Sequence, residues 1–275
     1  MPISIGIVKP GGVTNAPYTA TSLADAATRE PQGVYTAGRT FRRHHALLLD
    51  EHFDRLEKSA RLVDMTIHLD RAVLRKALRS LIDRSGHAES RFRITIPRET
   101  PDEPIISLEA FHGVPSEIMQ NGARVVTVHL ERHNPAAKWT EWMTARKATV
   151  EAFPPGIYEG IIVAPDGALL EGTNTNFYAV RDQTLRTAGD DTVLSGIGRR
   201  VVLTVAPDVL PVQLEPIHVE EIPLLSESFL TSASRGIVPI VEIDGRPIGD
   251  GRPGPVTQRL REAYDAWTEA HLEPI

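Results

Sequence analysis

Apolar and polar residues alternate over residues 2–8, the period of a strand. Val34-Tyr35-Thr36 and Ala46-Leu47-Leu48-Leu49 read as two more strands, with the basic stretch Arg42 to His45 as the turn between them. The period then lengthens. Phe53, Leu56, Ala60 and Leu62-Val63 recur at helical spacing, which predicts a helix over about 51–63 capped by Asp50. Val73, Leu74, Leu78 and Leu81-Ile82 predict a second helix over about 70–84. Alternation returns at Arg91 to Ile96 and at Ile105 to Phe111.

Gly113-Val114-Pro115 interrupts the pattern, and a linker is placed at 113–120. The first domain is then 1–112 and the second 121–275. The second opens with a strand from Ala123 to Leu130, followed by a helix over about 139–152. A strand from Gly160 to Ala164 leads into the hairpin turn Asp166-Gly167. Strands follow at 168–171 and 176–180, a helix at about 196–206, short strands near 213–219, 227–231 and 239–243, and a last helix over about 255–270. This order predicts a small N-terminal α/β domain and a larger C-terminal, mostly antiparallel, barrel-like one, in the α/β and α+β classes.

Composition narrows the chemistry. Hydrophobic residues make up 41% and charged residues 24% of the 275, as in an ordinary globular protein. A net charge of −6 with no long basic tract argues against nucleic acid as a partner. The chain has no cysteine, so disulfides, thiolate metal sites and a cysteine nucleophile are excluded. No apolar run reaches membrane-spanning length and the start lacks the features of a signal peptide, so a cytoplasmic location is expected.

The common catalytic signatures are missing. There is no GxxxxGK[ST] loop, no GxGxxG fingerprint, no HExxH and no GxSxG elbow. His44, His45 and His52 lack metal-ligand spacing, so no metal site is expected. What remains is a series of segments: GVYTAGRTF (33–41) with LDEHFDRLEKSA (49–60), NPAAK (134–138), PDGALLEGTNTNFYAV (165–180), LSGIGR (194–199), FLTSASRGIVPI (229–240) and the tail IGDGRPGPVT (248–257).

In this order and spacing they resemble the class IV aminotransferase family, which includes branched-chain and D-amino-acid aminotransferases, (R)-selective amine transaminases and aminodeoxychorismate lyases. The resemblance implies a two-domain fold type IV enzyme, a pyridoxal 5′-phosphate (PLP) cofactor and a homodimer. It implies Lys138 as the Schiff-base lysine. A lysine placed in an apolar setting loses its proton more readily, and Lys138 follows two alanines and precedes Trp139 and Trp142. Its alternative is a surface lysine at the start of the 139–152 helix; Lys147, mid-helix, is the competitor. The resemblance further places Glu171 on the pyridine nitrogen of the cofactor and Arg55 on its phosphate, a task suited to the arginine fork. Otherwise Glu171 ends an edge strand and Arg55 pairs with Glu51 in solvent.

Ser195-Gly196-Ile197-Gly198 opens a helix, so the amides of Ile197 and Gly198 are candidates for the phosphate as well. A second phosphate loop corresponds to Thr231 to Gly236, with Ser232 and Ala233 as the cofactor contacts. Two positions depart from the family: Gly198 stands where threonine is usual, and Ala233 where a hydroxyl is frequent, with Ser232 or Ser234 to compensate.

For the substrate, Met143 stands where branched-chain enzymes carry a tyrosine, and Arg91-Phe92-Arg93 where the family has tyrosine-valine-arginine. Arg39, Arg93 and Arg98 are candidates for a substrate carboxylate, against ordinary surface pairing; Ser234 is a further contact, and Tyr35 lines the pocket or the strand core. The implied reaction moves an amino group from an amino acid or (R)-amine donor to a 2-oxo acid acceptor, with Lys138 as base and then acid. Alternatives are a 4-amino-4-deoxychorismate lyase-type reaction and a non-catalytic binding protein; the latter needs neither Lys138 nor Glu171.

Overall fold

The two alternating segments around residues 35 and 93 meet as the strands Gly33–Phe41 and Ser90–Pro97, paired antiparallel from Gly33↔Pro97 to Arg39↔Arg91, in the computed structural model. It describes residues 3–275; Met1 and Pro2 lie outside the described residues, so the strand expected over 2–8 is described only from Ile3 onward and runs Ser4–Lys9. Contact density divides the chain into two units: residues 1–112, 137–145 and 271–275, and residues 113–136 and 146–270.

The first unit is built on a seven-stranded sheet in the order Leu272–Pro274, His45–Leu47, Gly33–Phe41, Ser90–Pro97, Ile105–Ala110, Ser4–Lys9, Gly12–Asn15. Every pairing in it is antiparallel. Helices Leu49–Leu62 and Arg71–Ser85 bring Leu49, Phe53, Leu56 and Ala60, and Leu74, Leu78, Leu81 and Ile82, into one core with Val34, Ile94, Ile96 and Leu108. Each large side chain among them, fully buried, contributes about 1.5–3 kcal/mol. The second helix has its expected cap, since the Asp70 side chain accepts from Val73 N.

The first helix does not. It begins at Leu49, one residue before the expected cap Asp50, and Leu48 precedes it in the left-handed region (φ 49°). Glu273 accepts from the N–H groups of Leu49 (2.5 Å) and Asp50 (3.2 Å) instead. A cap supplied from 224 residues away leaves no local signature.

In the second unit, six strands close on themselves in the order Asn176–Arg181, Glu227–Ser232, Gly236–Ile243, Ala123–Val128, Glu159–Val163, Ala168–Gly172. The pairing Asn176↔Glu171 joins the last strand to the first. Two pairings are parallel, those of Ala123–Val128 with its two neighbours, and the rest of the ring is antiparallel. Inward residues such as Val125, Ile161, Leu169, Phe177, Leu230 and Ile240 fill it. Helices Ile197–Val205 and Pro255–Ala270 belong to this unit. The expected linker at 113–120 contains most of a helix, Ser116–Asn121. No helix among the described residues is long and apolar enough to cross a membrane.

The single helix expected over 139–152 is two short ones, Glu141–Ala145 and Lys147–Glu151. Before them the chain is extended and bridges the first sheet at Val34↔Trp139. Lys147 therefore starts a helix rather than sitting mid-helix.

Candidate active site

Lys138 sits on this extended strap in the first unit. Tyr35 N donates to Lys138 O (2.9 Å), Thr140 N donates to Gly33 O (2.9 Å), and Gly33 N donates to the Thr140 hydroxyl (2.9 Å). Lys138 N donates to Ser59 Oγ (3.0 Å). Ladder bonds offered by the strand Gly33–Phe41 outcompete helix formation here, because a buried strand edge must find partners. The strap is thus pinned on both sides of the lysine. Lys138 Nζ lies 4.8 Å from the centre of the Tyr35 ring, so the ammonium rests on an aromatic face. Tyr35 is itself buried.

Arg55, His52 and Thr36 form a buried group in the same unit. The Thr36 hydroxyl accepts from Arg55 Nη2 (2.7 Å) and lies 2.7 Å from His52 Nδ1. Arg55 Nη2 also lies 3.4 Å from Nδ1, and a guanidinium can only donate, so Nδ1 is the acceptor for it and for the hydroxyl, and the His52 proton sits on Nε2. Burial, then the charges of Arg55 and Lys138, hold His52 well below its ordinary value of 6.5. A neutral histidine and a threonine therefore aim the Arg55 guanidinium, which is buried rather than solvated.

In the second unit, Glu171 stands at the closing pair of the barrel, 3% exposed. It accepts from Arg132 in a buried ion pair, from Leu194 N (3.2 Å) and from Asn176 Nδ2 (3.4 Å). Three donors thus converge on its two oxygens. Asn176 Nδ2 also donates to Leu194 O (2.8 Å), which ties the turn before helix Ile197–Val205 to the barrel. That helix has Gly196 at its N-cap and no side-chain cap, so its first N–H groups lack a side-chain acceptor. Arg199, 1% exposed, anchors it through Asp190 (2.8 Å), Thr187 Oγ1 (2.8 Å) and Ala188 O (2.7 Å).

Beside this helix start runs the end of strand Glu227–Ser232. A Cβ on Gly198 would lie 2.5 Å from Thr231 Oγ1 and 3.0 Å from the Ser232 carbonyl carbon. A threonine at 198 has no room, which accounts for glycine there. Thr231 Oγ1 is buried and has no hydrogen-bond partner among the described residues. Uncapped amides beside an unused hydroxyl make an anion cradle. Ser232, Ala233 and Ser234 follow on the adjoining turn, partly exposed.

The three arginines expected at a substrate carboxylate are all engaged in the first unit. Arg93 is buried and donates to both oxygens of Glu30 (2.6 and 3.0 Å), to Leu23 O (2.8 Å) and towards Met143 Sδ (3.9 Å). Glu30 also accepts from Thr95 (2.6 Å) and Ser107 (2.7 Å). Burial first, then Glu30, pushes the Tyr18 hydroxyl up to about 12. Arg39 stacks on Phe41 and Phe111 and meets Glu89, and Arg98 donates to Val63 O (2.6 Å). The first unit thus groups Tyr35, Arg55 and Lys138, and the second groups Glu171, Ile197, Gly198 and Ser232. Sequence reasoning missed the roles of Thr36, Arg132 and Asn176, named Thr231 only as the start of the second phosphate loop, and used His52 only as a rejected metal ligand. Thr36 and Asn176 stand inside the family-like segments 33–41 and 165–180, whereas Arg132 lies outside all of them.

Comparison with known proteins adds an independent line. The family model described as amino-transferase class IV matches residues 33–243. The branched-chain-amino-acid aminotransferase of Pseudomonas aeruginosa is 29% identical over 250 residues, covering 82% of this chain and 80% of the relative. A D-alanine aminotransferase of Staphylococcus aureus is 25% identical over 245 residues, covering 80% and 83%. In structure, a T.th. branched-chain amino acid aminotransferase solved with pyridoxamine 5′-phosphate superposes with a TM-score of 0.82 at 24% identity, covering 98% of each chain. At that identity the likeness speaks to the fold.

Proposed function

The chain belongs to the class IV aminotransferase family, and from that premise we propose that it is a PLP-dependent transaminase working between an amino acid and a 2-oxo acid. Relatives named as branched-chain and D-alanine aminotransferases support amino acid donors over a lyase reaction. When bound, PLP supplies an aldehyde that condenses with amines and a ring that accepts electrons. Everything else is the work of the chain's own residues.

Lys138 would hold the cofactor through Nζ and, freed by the donor amine, Nζ would serve as the base that takes the proton from the amine-bearing carbon of the substrate and then as the acid that gives it up. Its perch on the Tyr35 ring (4.8 Å) leaves Nζ on an apolar face while the backbone stays pinned. Arg55, aimed by Thr36, would hold the phosphate, a task suited to the arginine fork. The amides of Ile197 and Gly198, the Ser232 hydroxyl and the Ala233 amide share it, and the Thr231 hydroxyl stands where the missing position-198 hydroxyl would act. Glu171, paired with Arg132, would face the pyridine nitrogen and favour its protonated form. A cytoplasmic homodimer completes this reading, and sedimentation velocity tests the dimer.

The observation that carries the proposal is the family match over 33–243, which includes both Lys138 and Glu171. A visible absorption spectrum of the purified protein, before and after D-alanine, L-leucine or (R)-1-phenylethylamine, tests it. A yellow band bleached by one donor is expected, and Lys138→Ala abolishes both band and turnover. A protein that stays colourless after addition of PLP overturns the reading.

A further inference from the structure

We propose that Arg235 holds the carboxylate of the amino acid or 2-oxo acid substrate. This rests on the reading above, in which Ser232 and Ala233 border the cofactor.

Three arginines of this protein allow a direct contrast. Arg93 and Arg199 are 5% and 1% exposed at the side chain and bind their acceptors at 2.6–3.0 Å and 2.7–2.8 Å. Each of their guanidinium nitrogens has a short acceptor within the fold. Arg235 has a 24% exposed side chain, and each of its contacts is long: Tyr158 Oη at 3.2 Å, Ser232 Oγ at 3.3 Å and Glu159 Oε2 at 3.4 Å. A guanidinium has five N–H donors, and bonds of this length leave room for shorter ones to a better acceptor.

Its orientation is set nonetheless. The Tyr158 ring lies 5.4 Å from the guanidinium carbon. Glu159, 3% exposed at its side chain and accepting from the Thr173 hydroxyl, provides a fixed negative neighbour along one edge. Nε faces back onto Ser232, so the cation lies over the very turn assigned to the cofactor. A planar cation supported on one edge and loosely held on the others suits a bidentate carboxylate. With Arg93 committed to Glu30, the charge a substrate acid needs comes from this turn instead.

The test uses the PLP-loaded enzyme and its Arg235→Met and Arg235→Lys variants. KM and kcat are measured for D-alanine or L-leucine, whichever reacts, with 2-oxoglutarate as acceptor. Affinities of the apoenzymes for PLP and for pyridoxal are measured alongside. Arg235→Met is expected to raise KM for both acids about ten- to hundredfold, the loss of a charge-assisted pair. Maximal turnover moves less than about threefold, PLP and pyridoxal affinities stay level with wild type, and lysine restores part of the KM. An unmoved KM overturns the proposal. So does a loss of PLP affinity without loss of pyridoxal affinity, which would make Arg235 a phosphate ligand. A wild-type protein that takes up no PLP brings down the transaminase reading and this one with it, whereas yellow protein with an unmoved KM brings down this one alone.

Discussion

Lys138 and Glu171 are carried by two very different kinds of backbone. The lysine stands on a strap with no regular ladder of its own, where Lys138 and Thr140 are held by hydrogen bonds to and from Gly33, Tyr35 and Ser59. The glutamate stands in the strand pair that closes a six-stranded ring, with three donors on its oxygens. The difference follows the chemistry each is asked to perform. A group that leaves one partner and shuttles a proton needs a side chain free to move over a fixed backbone. A group that keeps a ring nitrogen charged needs to stay still, and closed sheets are stiff because every backbone group has its partner.

Short of removing the lysine itself, the largest expected effect comes from removing the charge at the still end. Glu171→Gln keeps the size but ends the ion pair with Arg132 and the support for a protonated ring nitrogen. PLP should remain bound while turnover falls about hundredfold, equivalent to about 2.7 kcal/mol of barrier. Stopped-flow measurement of the bleaching of the yellow band reads this directly. An unchanged rate would remove Glu171 from the mechanism and leave the ring closure as its only role.

How far this contrast was visible in the sequence depends on the range of the interactions. Strands Ser90–Pro97 and Ile105–Ala110 and helices Arg71–Ser85 and Pro255–Ala270 lie close to where periodicity put them, because burial on one face leaves its mark locally. The segments carrying Lys138 and Glu171 were legible as motifs. The strap was not: residues 139–152 have helical spacing, and what overrides it is a strand edge a hundred residues earlier. The same holds for Glu273 at the start of Leu49–Leu62, for Glu30 on Arg93 and for the ring closure itself. Arg93 shows the cost of reading residue type alone. An arginine on a strand suggests a substrate carboxylate, and nothing nearby in sequence announces that Glu30 already holds it.

The next effect bears on the movable end. Thr140→Val removes the hydroxyl that accepts from the buried Gly33 N–H and leaves that donor without its partner. An unsatisfied buried amide costs about 1–3 kcal/mol. The strap should loosen, so kcat falls about three- to tenfold and the melting temperature drops, while the PLP band remains. Thr140→Ser, which retains the hydroxyl, should restore most of both. If Val and Ser behave alike, the pin is not what positions Lys138.

The smallest expected effect separates the two supports by their response to pH. His52 is buried beside Arg55 and is held well below its ordinary 6.5 by burial and by the charges of Arg55 and Lys138. In the unfolded chain it takes up a proton near that ordinary value; in the fold it does so only at lower pH. Between the two values the unfolded state binds more protons, so stability falls as pH falls, by up to about 1.4 kcal/mol per pH unit, and is level with respect to this group above it. His52→Gln keeps an acceptor for the Thr36 hydroxyl and removes the titration. Denaturant unfolding of both proteins between about pH 5 and about pH 7.5 should therefore give curves that diverge on the acid side and run parallel above about pH 6.5, with the variant losing less stability on acidification. Parallel curves throughout would mean that His52 is protonated in the fold as readily as in the unfolded chain, and that the Arg55 guanidinium is not aimed by a neutral ring.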